Sequence, residues 1–246
     1  MKSMIISYVA ILASFCCYAE DESEKYGGQV KLSGKGYVAA IDCRSNGNSE
    51  DFAEGMKAVA DTFLIDVRPS KGKAFSLQNA TSQLQTSGGN CAVFIIDDTN
   101  MPMSLSASEE KWAMLNVAKI SSDSPAKQQY KRRISLLFAR QAFRSLGADE
   151  SKSVDTCLHS VFKPSDLDEI TTYDLPMGPE MAIPETMRLR GIEKIEYGTY
   201  EEACGLGVAA KPTNTIQKTI WDKVHAPPTK PLKITYDKDK QKPVVK

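Results

Sequence analysis

The stretch that sets the class of fold is Cys91-Ala-Val-Phe-Ile-Ile-Asp97, a continuous apolar run that ends in an acidic residue. A strand that is apolar on both faces is typical of a parallel sheet covered on both sides, whereas a half-exposed strand alternates apolar and polar residues. Gly88-Gly89 stands just before the run and ends a helical pattern over residues 74–86. The run therefore predicts a central strand of an α/β domain.

Upstream of this strand, the sequence alternates between strand and helix patterns. In chain order these are a strand within residues 30–42, a helix bearing Phe52, Met56, Val59 and Phe63, a strand over 63–68 that ends at Pro69, and the helix of 74–86. Such alternation predicts a mostly parallel sheet with flanking helices and right-handed crossovers.

Downstream, the strongest helix spans residues 126–146, with one apolar stripe and Gly147 at its end. Residues 112–120 are ambiguous, and we interpret them as a strand. The proline-rich segment 164–184 predicts an irregular surface wrap. Thr199 and Asn214 each begin a capping-box pattern and predict two late helices.

The first 19 residues have the features of a cleavable signal peptide. Lys2 precedes an apolar run over residues 4–15, and the small residues Cys17 and Ala19 fit a signal-peptidase site. The apolar run is shorter than the roughly 20 residues of a membrane-spanning helix. We therefore expect an exported protein, periplasmic or extracellular, with no membrane span after cleavage.

The predicted organisation has four parts after the signal peptide. They are a flexible leader (20–28), an α/β domain (29–170), a C-terminal extension with two helices (171–236) and a charged tail (237–246). Lysine and arginine total 31, as do aspartate and glutamate, so the whole molecule has no net charge that would favour a nucleic-acid partner.

Four cysteines remain after the predicted cleavage, and in an oxidising compartment we expect them to form disulfides. They are Cys43, Cys91, Cys157 and Cys204. Their pairing cannot be deduced, because four cysteines allow three connectivities. The long, irregular spacings contain no C-x-x-C pair that would indicate a zinc or redox site.

Residues 140–150 read Arg-Gln-Ala-Phe-Arg-Ser-Leu-Gly-Ala-Asp-Glu. The segment resembles the H-E-x-x-H-x-x-G-x-x-H motif of metzincin zinc proteases. Gly147 keeps the glycine of the motif. The resemblance is to archaemetzincins in particular, since Cys157-Leu-His159 and the run 163–168 are similar to segments that follow the helix there. It covers residues 36–170 and implies a metzincin-like fold with a degenerate zinc motif.

The resemblance places residues without the required chemistry at the metal positions. Arg140 and Arg144 fall at the first two histidines, Gln141 at the catalytic glutamate and Glu150 at the third histidine. Arginine remains protonated and has no lone pair for a metal, and a glutamine side chain is not a general base. We therefore expect no metal, no cofactor and no protease activity, which describes a pseudoenzyme.

In a metzincin, the corresponding face of the helix looks into the substrate cleft, and the resemblance implies such a cleft here. Four residues are candidates for binding a ligand in it: Arg140, Arg144, Glu150 and His159. At about 100° per residue, the two arginines lie roughly 200–240° from Phe138, opposite the apolar stripe. Forked hydrogen bonds from two arginines suit an anionic or peptide ligand. The alternative is a solvated face, on which Arg133 and these arginines only keep the helix soluble.

The sequence thus predicts an exported, non-catalytic binding or envelope protein. One alternative is a hydrolase that uses unrecognised groups, with Asp97, Asp98, Cys157, His159 and Glu150 as candidates. It requires these groups to converge in one pocket. The other alternative is a structural or interaction module without a small-molecule site, which an exposed apolar patch would favour.

Overall fold

A computed structural model describes residues 28–121, 123, 125–152, 156–226, 234–237 and 242–245. The predicted signal peptide and nearly all of the predicted leader lie outside these residues. The chain divides into two compact units, one over residues 33–196 and the other formed by the segments before and after it. Because residues 171–196 belong to the first unit, its end differs from the predicted domain end at residue 170.

The described strands, in chain order, are β1 (Gln29–Ser33), β2 (Tyr37–Asp42), β3 (Asp66–Lys71), β4 (Cys91–Ile96), β5 (Ser104–Ala107), β6 (Trp112–Asn116), β7 (Glu196–Thr199), β8 (Ile234–Asp237) and β9 (Lys242–Val245).

The helices follow the same order, beginning with one 3-10 turn at Ser49–Asp51. The α-helices are α1 (Ala53–Phe63), α2 (Ala80–Ser87), α3 (Val117–Ile120), α4 (Lys127–Ser145), α5 (Asp166–Glu169), α6 (Met177–Leu189), α7 (Tyr200–Gly205) and α8 (Thr215–Val224).

The larger unit is built on a five-stranded sheet of order β3-β2-β4-β6-β5. Strands β2, β3, β4 and β6 are parallel, and β5 pairs antiparallel to β6 at one edge. The prediction of a mostly parallel sheet with flanking helices is confirmed. Strand β5 was not predicted, since its four residues are too few to show a period.

Strand β4 is buried over its whole length, and its side chains enter two cores. Val93 and Ile95 pack into the core that includes Phe138 of α4. Phe94 and Ile96 point to the opposite core, with Leu84 of α2. Because successive side chains of a strand face opposite ways, helices on both sides demand a continuous apolar run.

The predicted single strand over 30–42 is two strands separated by glycines in the left-handed region. Gly34 has φ of 126° and Gly36 has φ of 69°. A Cβ at position 36 would lie 2.4 Å from the Gly191 carbonyl oxygen, so the backbone passes too close for any side chain. The loose alternation of the segment therefore hid a break between β1 and β2.

Three other boundaries differ from the predictions. Pro69 lies inside β3 rather than at its end, which an edge strand tolerates because one side of it has no partner. The second helix begins at Ala80, not residue 74. Residues 112–120 split into β6 and α3 at Asn116, whose side chain accepts a hydrogen bond from the amide of Ala118.

The segment predicted as an irregular wrap contains α5 and α6. Pro184 lies inside α6, and Ile183 and Met187 of the same helix are buried in the core that includes α4. The prolines and glycines concealed this helix, because a proline in a helix interior removes a hydrogen bond and normally ends the pattern.

In the smaller unit, β1 pairs with β7, and β8 pairs with β9. Helix α7 begins with a complete capping box, in which Thr199 bonds to the Glu202 amide and Glu202 bonds back to Thr199. Asn214 caps α8 through the amide of Gln217. Both predicted helix starts are confirmed.

Candidate functional site

The central part of helix α4, which includes the first residues of the segment that resembles the zinc motif, is buried on every side. Every residue from 133 to 143 is buried, and Arg133 and Arg140 are each only 2% exposed. One side of the helix packs on α1 and the sheet, and α5 lies against it as well. The alternative of a solvated arginine face is therefore wrong for Arg133 and Arg140. Other segments of the chain cover the second face of the helix, and the residue pattern of one helix cannot reveal them.

Arg140, Arg144 and Glu150 bond to one another and form what we call the Arg–Glu–Arg cluster. Arg140 Nη2 donates to Glu150 Oε1 over 2.8 Å. Arg144 Nη1 donates to the same oxygen. The second carboxylate oxygen accepts a 3.1 Å hydrogen bond from Ser160 Oγ. Arg140 Nε also donates to the His159 carbonyl over 3.2 Å, so the cluster ties α4 to the chain that follows it.

Gly147 brings Glu150 back to the helix. Its φ of 98° lies in the left-handed region, which reverses the chain directly after α4. The amide of Ala148 then bonds to the Phe143 carbonyl over 2.9 Å and closes the helix end. A Cβ at Gly147 would lie 3.0 Å from Thr186 Cγ2 of α6, so the position is also crowded.

The cluster has two cationic side chains and one carboxylate. Burial lowers the pKa of Arg140, while the charge of Glu150 opposes that effect. Burial alone would raise the pKa of Glu150, but the two guanidinium groups outweigh it and hold this pKa below its ordinary value. The cluster is therefore ionised at neutral pH and has one excess positive charge.

Several polar atoms around the cluster are buried and have no partner among the described residues. They are Arg140 Nη1, Arg144 Nε, Gln141 Oε1 and His159 Nδ1. Gln141 is 1% exposed and stands at the position of the catalytic glutamate in the resemblance. An unpaired buried polar group costs stability, so each of these atoms is available to a water molecule or a ligand atom.

The residues at this site do not fit a zinc ion. Within the described ranges, no three His, Cys, Asp or Glu side chains are grouped so as to hold a metal. Guanidinium groups repel a cation and cannot donate a lone pair. Only Glu150 has ligand chemistry, and its carboxylate oxygens already accept bonds from Arg140, Arg144 and Ser160.

The candidates for a hydrolase fall in two places: Glu150, Cys157 and His159 lie around Arg140, and Asp97 and Asp98 lie apart from them. Cys157 is 1% exposed, and burial raises the pKa of its thiol to about 12, so it is not a thiolate at neutral pH. Asp97 and Asp98 follow β4 and line a separate cavity of about 320 Å³ with Cys43. No described hydrogen bond or ion pair joins these aspartates to Glu150 or His159.

The four cysteines predicted to form disulfides are free thiols in the structure. The register places Val38 of β2 beside Cys91, so Cys43 lies five residues further along the strand direction. Cys91 also packs in the core that includes α4, whereas Cys43 packs against the core on the other side of the sheet. A bridge between these two would have to cross the sheet.

A cleft of about 440 Å³ adjoins the cluster. It lies between the chain after α4, residues 147–152, and the first turns of α6, where Gly178, Pro179 and Ala182 contribute. Glu150 lines it, whereas buried Arg140 does not. Sequence reasoning missed this cleft because it missed α6.

Arg133 is a second buried arginine, whose role the sequence did not reveal. Its Nη1 donates to Asp123 over 2.7 Å, and its Nη2 donates to Asp168 over 2.6 Å. Hydrogen bonds from Arg133 to both carboxylates raise the pKa of its guanidinium. This bridge fixes α5 against α4 one to two turns before the cluster.

The fold of the larger unit, with its antiparallel edge strand and long helix below the sheet, is metzincin-like. The archaemetzincin of Methanopyrus kandleri superposes with a TM-score of 0.51 at 10% identity, covering 62% of this chain and 95% of that one. A zinc-dependent peptidase of Methanocorpusculum labreanum gives a TM-score of 0.47 at 7% identity, covering 60% and 100%. No family model and no curated protein sequence matches the chain. The predicted resemblance in fold is confirmed, and at this identity it does not extend to activity.

Proposed function

We propose that this chain is a non-catalytic, exported binding or envelope protein, a pseudo-metalloprotease on a metzincin-like fold. One observation carries the proposal. Arg140, Arg144 and Glu150, which stand at the three metal-ligand positions of the resemblance, bond to each other. A catalytic zinc site needs three lone-pair donors and an open position for water, and this cluster offers neither.

The cluster supports a structural replacement for a metal. A zinc ion would link the helix to the chain after the glycine turn because ligand atoms on both segments would bind the same ion. Here two guanidinium groups on α4 supply positive charge, and the carboxylate of Glu150 on the returning chain accepts from both. The same two segments are joined, while the water-activating chemistry is absent.

We place the binding role in the cleft beside the cluster rather than on Arg140 itself. Arg140 is 2% exposed and both arginines bond to Glu150, and this internal salt bridge argues against either arginine as the direct partner of a ligand. Asp149, Glu150 and Lys152 are the charged residues that line the cleft. Arg144 does not line it, but it bonds to Glu150 and is itself 25% exposed. The excess positive charge of the cluster suits an anionic or peptide ligand that enters there.

The test is to restore the motif. The fourfold variant Arg140→His, Gln141→Glu, Arg144→His and Glu150→His should bind about one zinc ion per chain, as four-coordinate sites do with three protein ligands and water. The wild-type chain should contain none. Metal content by mass spectrometry and stability with and without chelator measure both.

A matched control is Gln128→His with Arg132→His, which sets two histidines at the same spacing earlier on α4 and should not retain zinc. Two results would contradict the proposal. Stoichiometric zinc in the wild-type protein, lost on replacing Glu150 or His159, would show a metal site. A folded fourfold variant without zinc would show that the motif positions do not converge as assigned.

A second candidate is an interaction module, and the surface of α6 favours it. Met177 and Met181, one turn apart on the helix whose first turns line the same cleft, are 77% and 76% exposed. Exposed methionines are common on adaptable protein-binding surfaces. Binding of apolar peptides that is lost in Met177→Glu with Met181→Glu, but retained in Glu150→Gln, would favour this candidate over an anion site.

A further inference from the structure

The balanced total charge hides a strong division along the chain. Residues 205–246 contain nine lysines and three aspartates, a net charge of +6, and no arginine or glutamate. Because the whole chain is neutral, residues 1–204 have a net charge of −6. Charge asymmetry of this kind indicates an anionic partner for the basic end.

The helix in this basic region, α8, is amphipathic and has no buried residue. Ile216, Ile220 and Val224 are spaced four apart and so share one face. Ile216 is 46% exposed and Val224 is 40% exposed. Helix α8 packs on α7 and Ile220 is only partly exposed, but Ile216 and Val224 keep apolar surface in water, which leaves an uncovered apolar area on this helix.

Neighbouring residues of the same unit extend the apolar character. Leu206 is 66% exposed and Val208 is 51% exposed in the segment between α7 and α8. Trp221 stacks on His225 with ring centroids 4.0 Å apart, which places an aromatic pair at the end of α8. An aromatic residue with one apolar and one polar side is common at membrane interfaces.

We propose that α8 lies on an anionic lipid surface, with Ile216, Ile220 and Val224 inserted between headgroups and the net positive charge of residues 205–246 attracted to lipid phosphates. A short helix with an apolar face and flanking lysines binds in the plane of such an interface. Lysine is a point charge that suits a diffuse headgroup layer, whereas a specific phosphate site favours the forked arginine. The net positive charge of residues 205–246 favours an anionic partner, whereas an apolar face alone would not select one.

The contact is peripheral. No helix among the described residues is both long enough and apolar enough to cross a membrane. The proposal rests on α8 and on the charge of residues 205–246, and it is independent of the Arg–Glu–Arg cluster.

The test is sedimentation with lipid vesicles, using the chain that begins at Glu20. This start removes the apolar run over residues 4–15, which would bind lipid by itself, and deletes no residue that the structure describes. We expect at least about tenfold tighter association with vesicles of about 30 mol % phosphatidylglycerol than with pure phosphatidylcholine, and most of it should be lost at high salt.

Two variants separate the contributions. Ile216→Ser with Val224→Ser should weaken binding to anionic vesicles about tenfold, and Lys218→Glu should weaken it severalfold. The matched control Leu77→Ser with Leu189→Ser removes two exposed leucines from the larger unit and should bind like wild type. Because all five residues are exposed or half-exposed, these variants should fold, which circular dichroism checks.

Three results would overturn the proposal. The first is no binding to anionic vesicles, or equal binding to neutral ones. The second is salt-sensitive binding to a soluble polyanion such as heparin that matches vesicle binding and is unchanged in Ile216→Ser with Val224→Ser. The third is a stable dimer that the same variant converts to monomer, because then a second copy covers α8.

Discussion

Replacing Glu150 should destabilise the protein more than replacing the buried arginine to which it bonds. The variant Glu150→Gln keeps the shape of the side chain but removes its charge. Arg140, 2% exposed, then stays next to Arg144 with no carboxylate between them. The variant Arg140→Met removes the buried charge instead and leaves Glu150 with Arg144 and Ser160.

The size of the difference follows from burial. Removing one partner of a fully buried pair costs about 3–5 kcal/mol, because the other charge is left uncompensated. Glu150 is 45% exposed, so water screens part of the loss and we expect about 1.5–3 kcal/mol for Glu150→Gln. Arg140→Met should cost about 1 kcal/mol or less, because Glu150 is half-exposed and keeps Arg144 and Ser160, so no buried charge is left without a partner.

Urea unfolding followed by circular dichroism measures both free energies. The control is Glu185→Gln, which removes the same charge from an exposed pair with Arg188 and should cost under about 0.5 kcal/mol. If Arg140→Met is as costly as Glu150→Gln, or if Glu150→Gln behaves like the control, the cluster is not an electrostatic link between α4 and the returning chain.

Three further predictions concern pH, the glycine turn and the thiols. The pKa of folded Glu150 lies below its ordinary value of 4.5, so its contribution to stability is present above that value and is lost as the pH falls through the folded pKa. As the pH is lowered from about 7 to about 3, the urea midpoint of Glu150→Gln should therefore fall less steeply than that of the wild type. Parallel curves for the two proteins would contradict this prediction. Gly147→Ala should cost about 1–3 kcal/mol in urea unfolding, because φ is 98° and Thr186 crowds the new Cβ, whereas Gly205→Ala, with open space around it, should be neutral or slightly stabilising. Alkylation of the unfolded chain from Glu20 without reductant should modify all four cysteines, and unmodified pairs would support the predicted disulfides instead.

The parts of the fold that the sequence predicted are those in which a single local signal suffices. Strand β4 was predictable because its burial on both faces leaves only apolar residues in it. The start of α7 was predictable because Thr199 caps it through a contact within four residues. Where two local rules conflict, the prediction was wrong. Pro69 stops most strands but not an edge strand, and Pro184 stops most helices but not α6, whose other turns are held by buried Ile183 and Met187.

The candidate site shows the same division between local and long-range information. The motif spacing and Gly147 placed Glu150 near Arg140 and Arg144, and the three do bond to one another. The burial of Arg140 could not be predicted from the local sequence. A wheel drawn from Phe138 assumes one covered face, whereas α4 is covered on both, and the second cover comes from residues far along the chain.

The composition of the Arg–Glu–Arg cluster bears on whether the cluster serves stability alone. Glu150 bonds to both arginines, so either guanidinium group by itself joins α4 to the returning chain. The second arginine adds an excess charge and leaves Arg140 Nη1 and Arg144 Nε without partners among the described residues, which is not optimal for stability. If stability alone had shaped the site, a buried Arg140 would offer little over an apolar side chain such as methionine. Stability of Arg140→Met within about 1 kcal/mol of wild type, with binding in the adjoining cleft reduced, would therefore separate a binding role from a merely structural one.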